Sequence, residues 1–92
     1  KDTDGIFAIS DAAAAAVIVE IEKSGKRVPE DVKVIGFDGG RSFLNLGKKI
    51  SSIGQSPQLI AKAICSTILN FNTGKPVEGQ IIPVYFFKGE TT

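Results

Sequence analysis

Hydrophobic positions in this chain fall in short runs separated by polar or glycine-rich breaks, and their spacing changes from run to run. Ile6-Phe7-Ala8-Ile9 is too short for a helix and reads as a strand. Ser10-Asp11 follow, and Asp11 is the expected N-cap of a helix beginning at Ala12. The run of alanines from Ala12 to Ala16 carries that helix on to Val19 and Ile21, because alanine leads the helix-propensity scale. Glu20, Glu22 and Lys23 turn to solvent, and Gly25 supplies the stop. A helix apolar most of the way round is expected to be covered on more than one side.

The next break, Pro29-Glu30-Asp31, is made of residues that end helices and avoid strands. Val32, Val34, Ile35 and Phe37 then form a β-branched and aromatic run, as in a strand covered on both faces. Asp38 closes it, before Gly39-Gly40. Strand–helix–strand units of this kind connect parallel strands with a right-handed crossover. A link holding Phe43, Leu44 and Leu46 leads to Ile50-Ser51-Ser52-Ile53, a third short strand. Ser56-Pro57 opens a second helix, with Ser56 as cap and Pro57 in the first turn. Leu59, Ile60, Ala63, Ile64, Ile68, Leu69 and Phe71 give it a broad apolar face, ended by Asn72-Thr73-Gly74-Lys75-Pro76. Residues 81–87 form the last strand, at an edge or broken at Pro83, which has no N–H to donate. Tyr85, Phe86 and Phe87 on it are expected to pack in a core.

Composition narrows the chemistry. With 11 basic and 10 acidic residues the net charge is +1, so these residues carry no electrostatic footprint for nucleic acid. The absence of histidine removes Ser–His and Cys–His nucleophilic pairs and the usual zinc sites. Cys65, the only cysteine, cannot form an internal disulfide and is expected to be a small core residue of the second helix. No metal or other cofactor is expected. No run of ~18 apolar residues is present, so no membrane span is expected. Neither GxGxxG nor a Walker lysine pattern occurs, and Lys48-Lys49 is no more than a solvated pair.

The polar residues that remain sit at strand ends. In an open parallel α/β sheet, ligands bind beyond the carboxyl ends of the strands. Ser10 and Asp38 fall there on the first two strands, and Gln55 on the third. Each also has a structural reading: Ser10 with Asp11 as helix capping, Asp38 as a turn aspartate, Gln55 as a solvated loop residue.

Several of these segments resemble the lactose repressor/galactose repressor family. They are Asp4-Gly5-Ile6-Phe7-Ala8-Ile9-Ser10-Asp11 before an alanine-rich helix, and Val28-Pro29-Glu30-Asp31-Val32-Lys33-Val34-Ile35-Gly36-Phe37-Asp38. Ile50-Ser51-Ser52-Ile53-Gly54-Gln55 stands where that family has Leu-Thr-Thr-Val-x-Gln, and Glu90-Thr91-Thr92 where it closes with Arg-Glu-Ser-Thr. The resemblance covers essentially the whole chain. It implies an α/β fold, part of a two-lobed periplasmic-binding-protein-like (type I) domain with a parallel sheet and flanking helices. Residues 1–53 and 84–92 would belong to the second lobe, and residues 54–83 would cross to the first.

The same resemblance implies a bacterial transcription regulator that is not an enzyme. It would be a cytoplasmic homodimer whose core binds a sugar or purine effector. Operator DNA would be bound by an amino-terminal helix-turn-helix that these residues do not include. Asp38 matches the family's effector-binding aspartate, Ser10 stands where an asparagine does the same, and Gln55 closes its motif. Ala15 and Val19 on the first helix, and Ser42 and Phe43 in the following link, fall in regions the family uses for dimerisation. The chain departs from the pattern at Gly89, in place of an arginine, and at Pro57, later than the customary proline. It also lacks the head, the first lobe's sheet and the early second lobe, so it is not expected to sense effector alone. A periplasmic sugar-binding protein shares the fold and the Gly-Phe-Asp-Gly strand end, and is the alternative.

Overall fold

The computed structural model describes residues 3–39 and 46–92. Ser42 and Phe43 lie outside the described residues. In chain order the elements are β1 (Gly5–Phe7), α1 (Asp11–Lys23), β2 (Lys33–Asp38), β3 (Ser51–Gln55), α2 (Pro57–Asn72) and β4 (Val84–Phe87). The strands form one sheet in the order β1-β2-β3-β4. β1 pairs in parallel with β2, Ile6 opposite Val34, and β2 in parallel with β3, Phe37 opposite Ile53 and Asp38 opposite Gly54. The chain divides into two compact units, one formed by Lys1–Gly54 with Tyr85–Thr92 and the other by Gln55–Val84.

In the first unit the core lies between α1 and one face of the sheet. Its buried apolar members are Ala8, Ala14, Ile18, Val28, Val32, Val34 and Ile50, with Ile6, Ala13, Ala15, Ile21 and Leu46 packed around them. Along β2, Val34 and Gly36 are buried while Ile35 and Phe37 are only half-buried. The strand is therefore covered by α1 on one face and not on both, as its apolar run predicted. The opposite face carries Phe7 edge-on to Phe37, with ring centroids 6.5 Å apart. A groove of about 590 Å³ runs there between Phe7, Ile35 and Phe86.

The turn before β2 is held by Arg27 and Asp31. The Arg27 side chain donates to both Asp31 carboxylate oxygens at 3.0 Å, and its backbone N–H donates to Oδ2 at 2.7 Å. These bonds hold the Asp31 pKa down at about 2. The pair is too exposed to add much stability, but it fixes the path into the strand.

At this same amino-terminal end of β2 and β3, the closing residues of the sequence thread between the strands. The Val34 N–H donates to the Thr91 carbonyl at 2.8 Å, and the Thr91 hydroxyl donates to the Val34 carbonyl at 2.6 Å. The Ser51 N–H donates to that same hydroxyl at 2.9 Å. Thr91 is fully buried and satisfies the backbone where β2 and β3 have not yet paired. Glu90 and Lys49 exchange bonds alongside. Gly89, the position departing from arginine, has no room for a side chain. A Cβ there would lie 2.5 Å from the Lys49 carbonyl oxygen.

In the second unit, Ser56 caps α2 by accepting from the Leu59 N–H at 3.2 Å, with Pro57 in the first turn as the sequence predicts. Thr73 ends the helix, and Gly74 follows with φ 74°. None of the residues of α2 is buried in this chain. Ile64, Ile68, Leu69 and Phe71 are exposed, and so is Cys65, against the expectation of a core thiol. Residues 81–83 are not strand. The last strand starts only after Pro83, and Tyr85 and Phe86 on it are exposed instead of packed in a core.

Candidate functional site

The first two strand-end positions lie on the same edge of the sheet, because β1 and β2 are parallel. Ser10 follows β1, with extended backbone at φ −153° and ψ 164°. Its hydroxyl accepts from the Ala13 N–H at 3.1 Å and its carbonyl from the Ala14 N–H at 2.9 Å. Ser10 is thus the N-cap, and Asp11 is the first residue of the helix, not its cap as the sequence suggested. A hydroxyl that accepts at a helix end still carries a proton to donate, so capping leaves Ser10 chemically suited to a ligand.

Displaced from the cap, Asp11 goes inside. It is 4% exposed, and its Oδ1 accepts from the Ser52 hydroxyl at 2.7 Å. A carboxylate in the first turn is favoured by the helix dipole, and the short bond to Ser52 compensates its desolvation. Gly36 provides the space, since a Cβ there would lie 2.3 Å from Asp11 Oδ1. Ser52 also accepts, at 3.3 Å, from the N–H of Gly39, the residue after Asp38.

Asp38 ends β2, exposed, at φ 121°. That region is open to glycine and costly for other residues. Gln55 is the last residue of β3, half-buried, and belongs to the second unit. Of the dimer candidates, Ala15 packs half-buried against the local core, while Val19 is 39% exposed on the outer side of α1.

The Asp11–Ser52 pair escaped the sequence reading. Its signal was available in Ser51-Ser52, two hydroxyl residues in a strand where both prove fully buried. Buried polar groups must find partners. Among the described residues every buried side-chain nitrogen and oxygen has one. No group of three or more acidic, cysteine or histidine side chains suited to a metal is found among them. No helix is long and apolar enough to cross a membrane among the described residues.

A model of the periplasmic binding protein-like domain family matches residues 2–92. The ribose operon repressor of Bacillus subtilis is 34% identical over 92 residues, which are 98% of this chain and 28% of that protein. A crystal structure of the Lac repressor dimer bound to operator and an anti-inducer superposes with TM-score 0.86 at 27% identity, over 97% of this chain and 32% of that one. A complex of the regulator CelR with cellobiose also superposes with TM-score 0.86, at 28% identity, over 99% of this chain and 28% of that one. The chain thus spans less than a third of the length of these proteins. By this match and by its parallel α/β sheet, the chain belongs to the periplasmic binding protein-like domain family, and its relatives there are LacI-type transcriptional regulators.

Proposed function

We propose that these residues form part of the effector-binding domain of a LacI-type repressor. The first unit would contribute to one lobe and the second unit would belong to the connection towards the other. The observation that carries the reading is Asp38, an exposed carboxylate at the carboxyl end of a parallel strand. An ionised carboxylate only accepts hydrogen bonds, so it suits sugar hydroxyls or purine N–H groups. Ser10, which both donates and accepts, would join it in the polar set. Repressors among the relatives are named for ribose, and CelR is seen with cellobiose, which favours a sugar. The same relatives favour a regulator over a transport protein. A regulator of this type works in the cytoplasm, on operator DNA held by a separate head, and catalyses no reaction.

The test is calorimetric titration of the full-length protein against a panel of sugars and purines, ribose and cellobiose first. Asp38→Asn keeps the shape but replaces an acceptor oxygen with a donor. It should weaken the best ligand by about 1.5–3 kcal/mol, roughly 10- to 100-fold. Equal affinity in the variant and the parent would remove Asp38 from the site.

The dimer reading rests on α1, whose outer side leaves Val19 exposed beside Ala12 and Ala16. Val19→Glu tests it better than a change at Ala15, which would disturb the core. Sedimentation should show the full-length variant shifted towards monomer, with operator affinity falling in parallel. A variant that stays dimeric places the interface elsewhere.

A further inference from the structure

We infer that Asp11 and Ser52 are positioning residues that hold the Asp38–Gly39 turn in the conformation presenting the Asp38 carboxylate. The inference rests on Asp38 being the effector contact. A non-glycine residue at φ 121° stays there only if its surroundings impose that conformation. Gly39, next in the chain, also has positive φ, at 146°.

What imposes it is a relay of hydrogen bonds reaching the turn from inside the domain. The Gly39 N–H donates to Ser52 Oγ at 3.3 Å, and Ser52 Oγ donates to Asp11 Oδ1 at 2.7 Å. The direction of that relay is set by Asp11. A buried carboxylate can only accept, so it takes the single Ser52 proton and leaves the Ser52 oxygen to receive the Gly39 N–H. Asp11 in turn is fixed by its place in the first turn of α1 and by the cleft at Gly36. Three segments distant in sequence therefore meet in one bond path that ends at the turn beside Asp38. None of its members needs to touch the ligand.

Amide-resolved hydrogen exchange tests the holding without any ligand. Ser52→Ala removes the acceptor, and Gly39 should then exchange roughly tenfold faster, the scale set by one lost hydrogen bond. Ser52→Thr keeps the hydroxyl and should restore the slow rate. The Val34 N–H, bonded to the Thr91 carbonyl at the other end of β2, should not change. Equal acceleration at Val34 and Gly39 would mean that Ser52 only stabilises the domain, and would overturn the inference. So would an unchanged Gly39 rate.

Titration of the full-length variants with the best ligand of the panel then separates the two readings. Ser52→Ala should weaken binding roughly 3- to 10-fold, Ser52→Thr less than about twofold. In an Asp38→Asn background Ser52→Ala should add almost nothing, because its effect passes through that carboxylate. Full additivity overturns the inference while leaving Asp38 in the site. A silent Asp38→Asn change overturns the effector reading instead, and with it the part of the inference that depends on it.

Discussion

Ile18→Ala is expected to destabilise the first unit by about 2–5 kcal/mol. Ile18 is fully buried on α1, and its neighbours in the core are Ala8, Val28, Val32, Val34 and Ile50. Val34 lies within β2, and Ala8, Val32 and Ile50 directly adjoin the ends of β1, β2 and β3, so little can move in to fill the space the alanine leaves. The loss is then the transfer term together with the cavity term. Only Ile18, Ile50 and Val34 combine large apolar volume with full burial among the described residues, so one substitution removes a large share of the core. Against a typical total of 5–15 kcal/mol, such a loss takes much of the stability of a small domain. Urea denaturation followed by circular dichroism should show a lowered midpoint at an unchanged slope. Ile9→Ala, at a residue 85% exposed, should stay within about 0.5 kcal/mol of the parent. Equal midpoints for the two variants would mean that α1 is not packed on the sheet as described.

Gly36→Ala is expected to cost at least about 1–3 kcal/mol, by the opposite route of overpacking. The added methyl would stand 2.3 Å from Asp11 Oδ1, 3.2 Å from the Asp11 Cα and 3.3 Å from the Ala14 Cβ. The carboxylate alone can swing aside, but then it loses Ser52 and is left buried without that donor. If it stays, the first turn of α1 must lift off the sheet. Gly25→Ala separates this crowding from glycine's ordinary backbone freedom, since no atom lies near the Gly25 position and only its φ of 91° resists. The same denaturation experiment should rank Gly36→Ala above Gly25→Ala, and the reverse order would contradict the packing at Asp11.

The order of elements was legible because each has a local cause: the alanine run, the β-branched strands and Ser56-Pro57, although the last strand begins after Pro83 and not at Ile81. What local pattern could not decide was which of two adjacent good caps is used. Ser10 and Asp11 are equivalent to propensity, and the choice is made by Ser52, 41 residues away. Nor could alternation reveal how many faces are covered. Val34 and Ile35 are equally apolar, yet only Val34 faces α1. Within the candidate site, the strand-end placement of Ser10 and Asp38 followed from the chain order. The strained backbone of Asp38 did not, since it depends on bonds made by a different strand.

The division of the chain has a consequence for how freely it can vary. The first unit is assembled from two stretches, with Gln55–Val84 inserted between them. Its two cut ends stay close, because Tyr85 lies against Gly54, where a Cβ would fall 2.2 Å from the tyrosine ring. From the first unit's side, the insert is a loop whose closure costs entropy that grows only logarithmically with length. Doubling it adds just ~0.6 kcal/mol. The insert can therefore lengthen, shorten or change its contents at small cost to the sheet it interrupts. At the join itself, a side chain in place of the Gly54 hydrogen would meet the far end of the Tyr85 ring, which would have to turn aside to admit it.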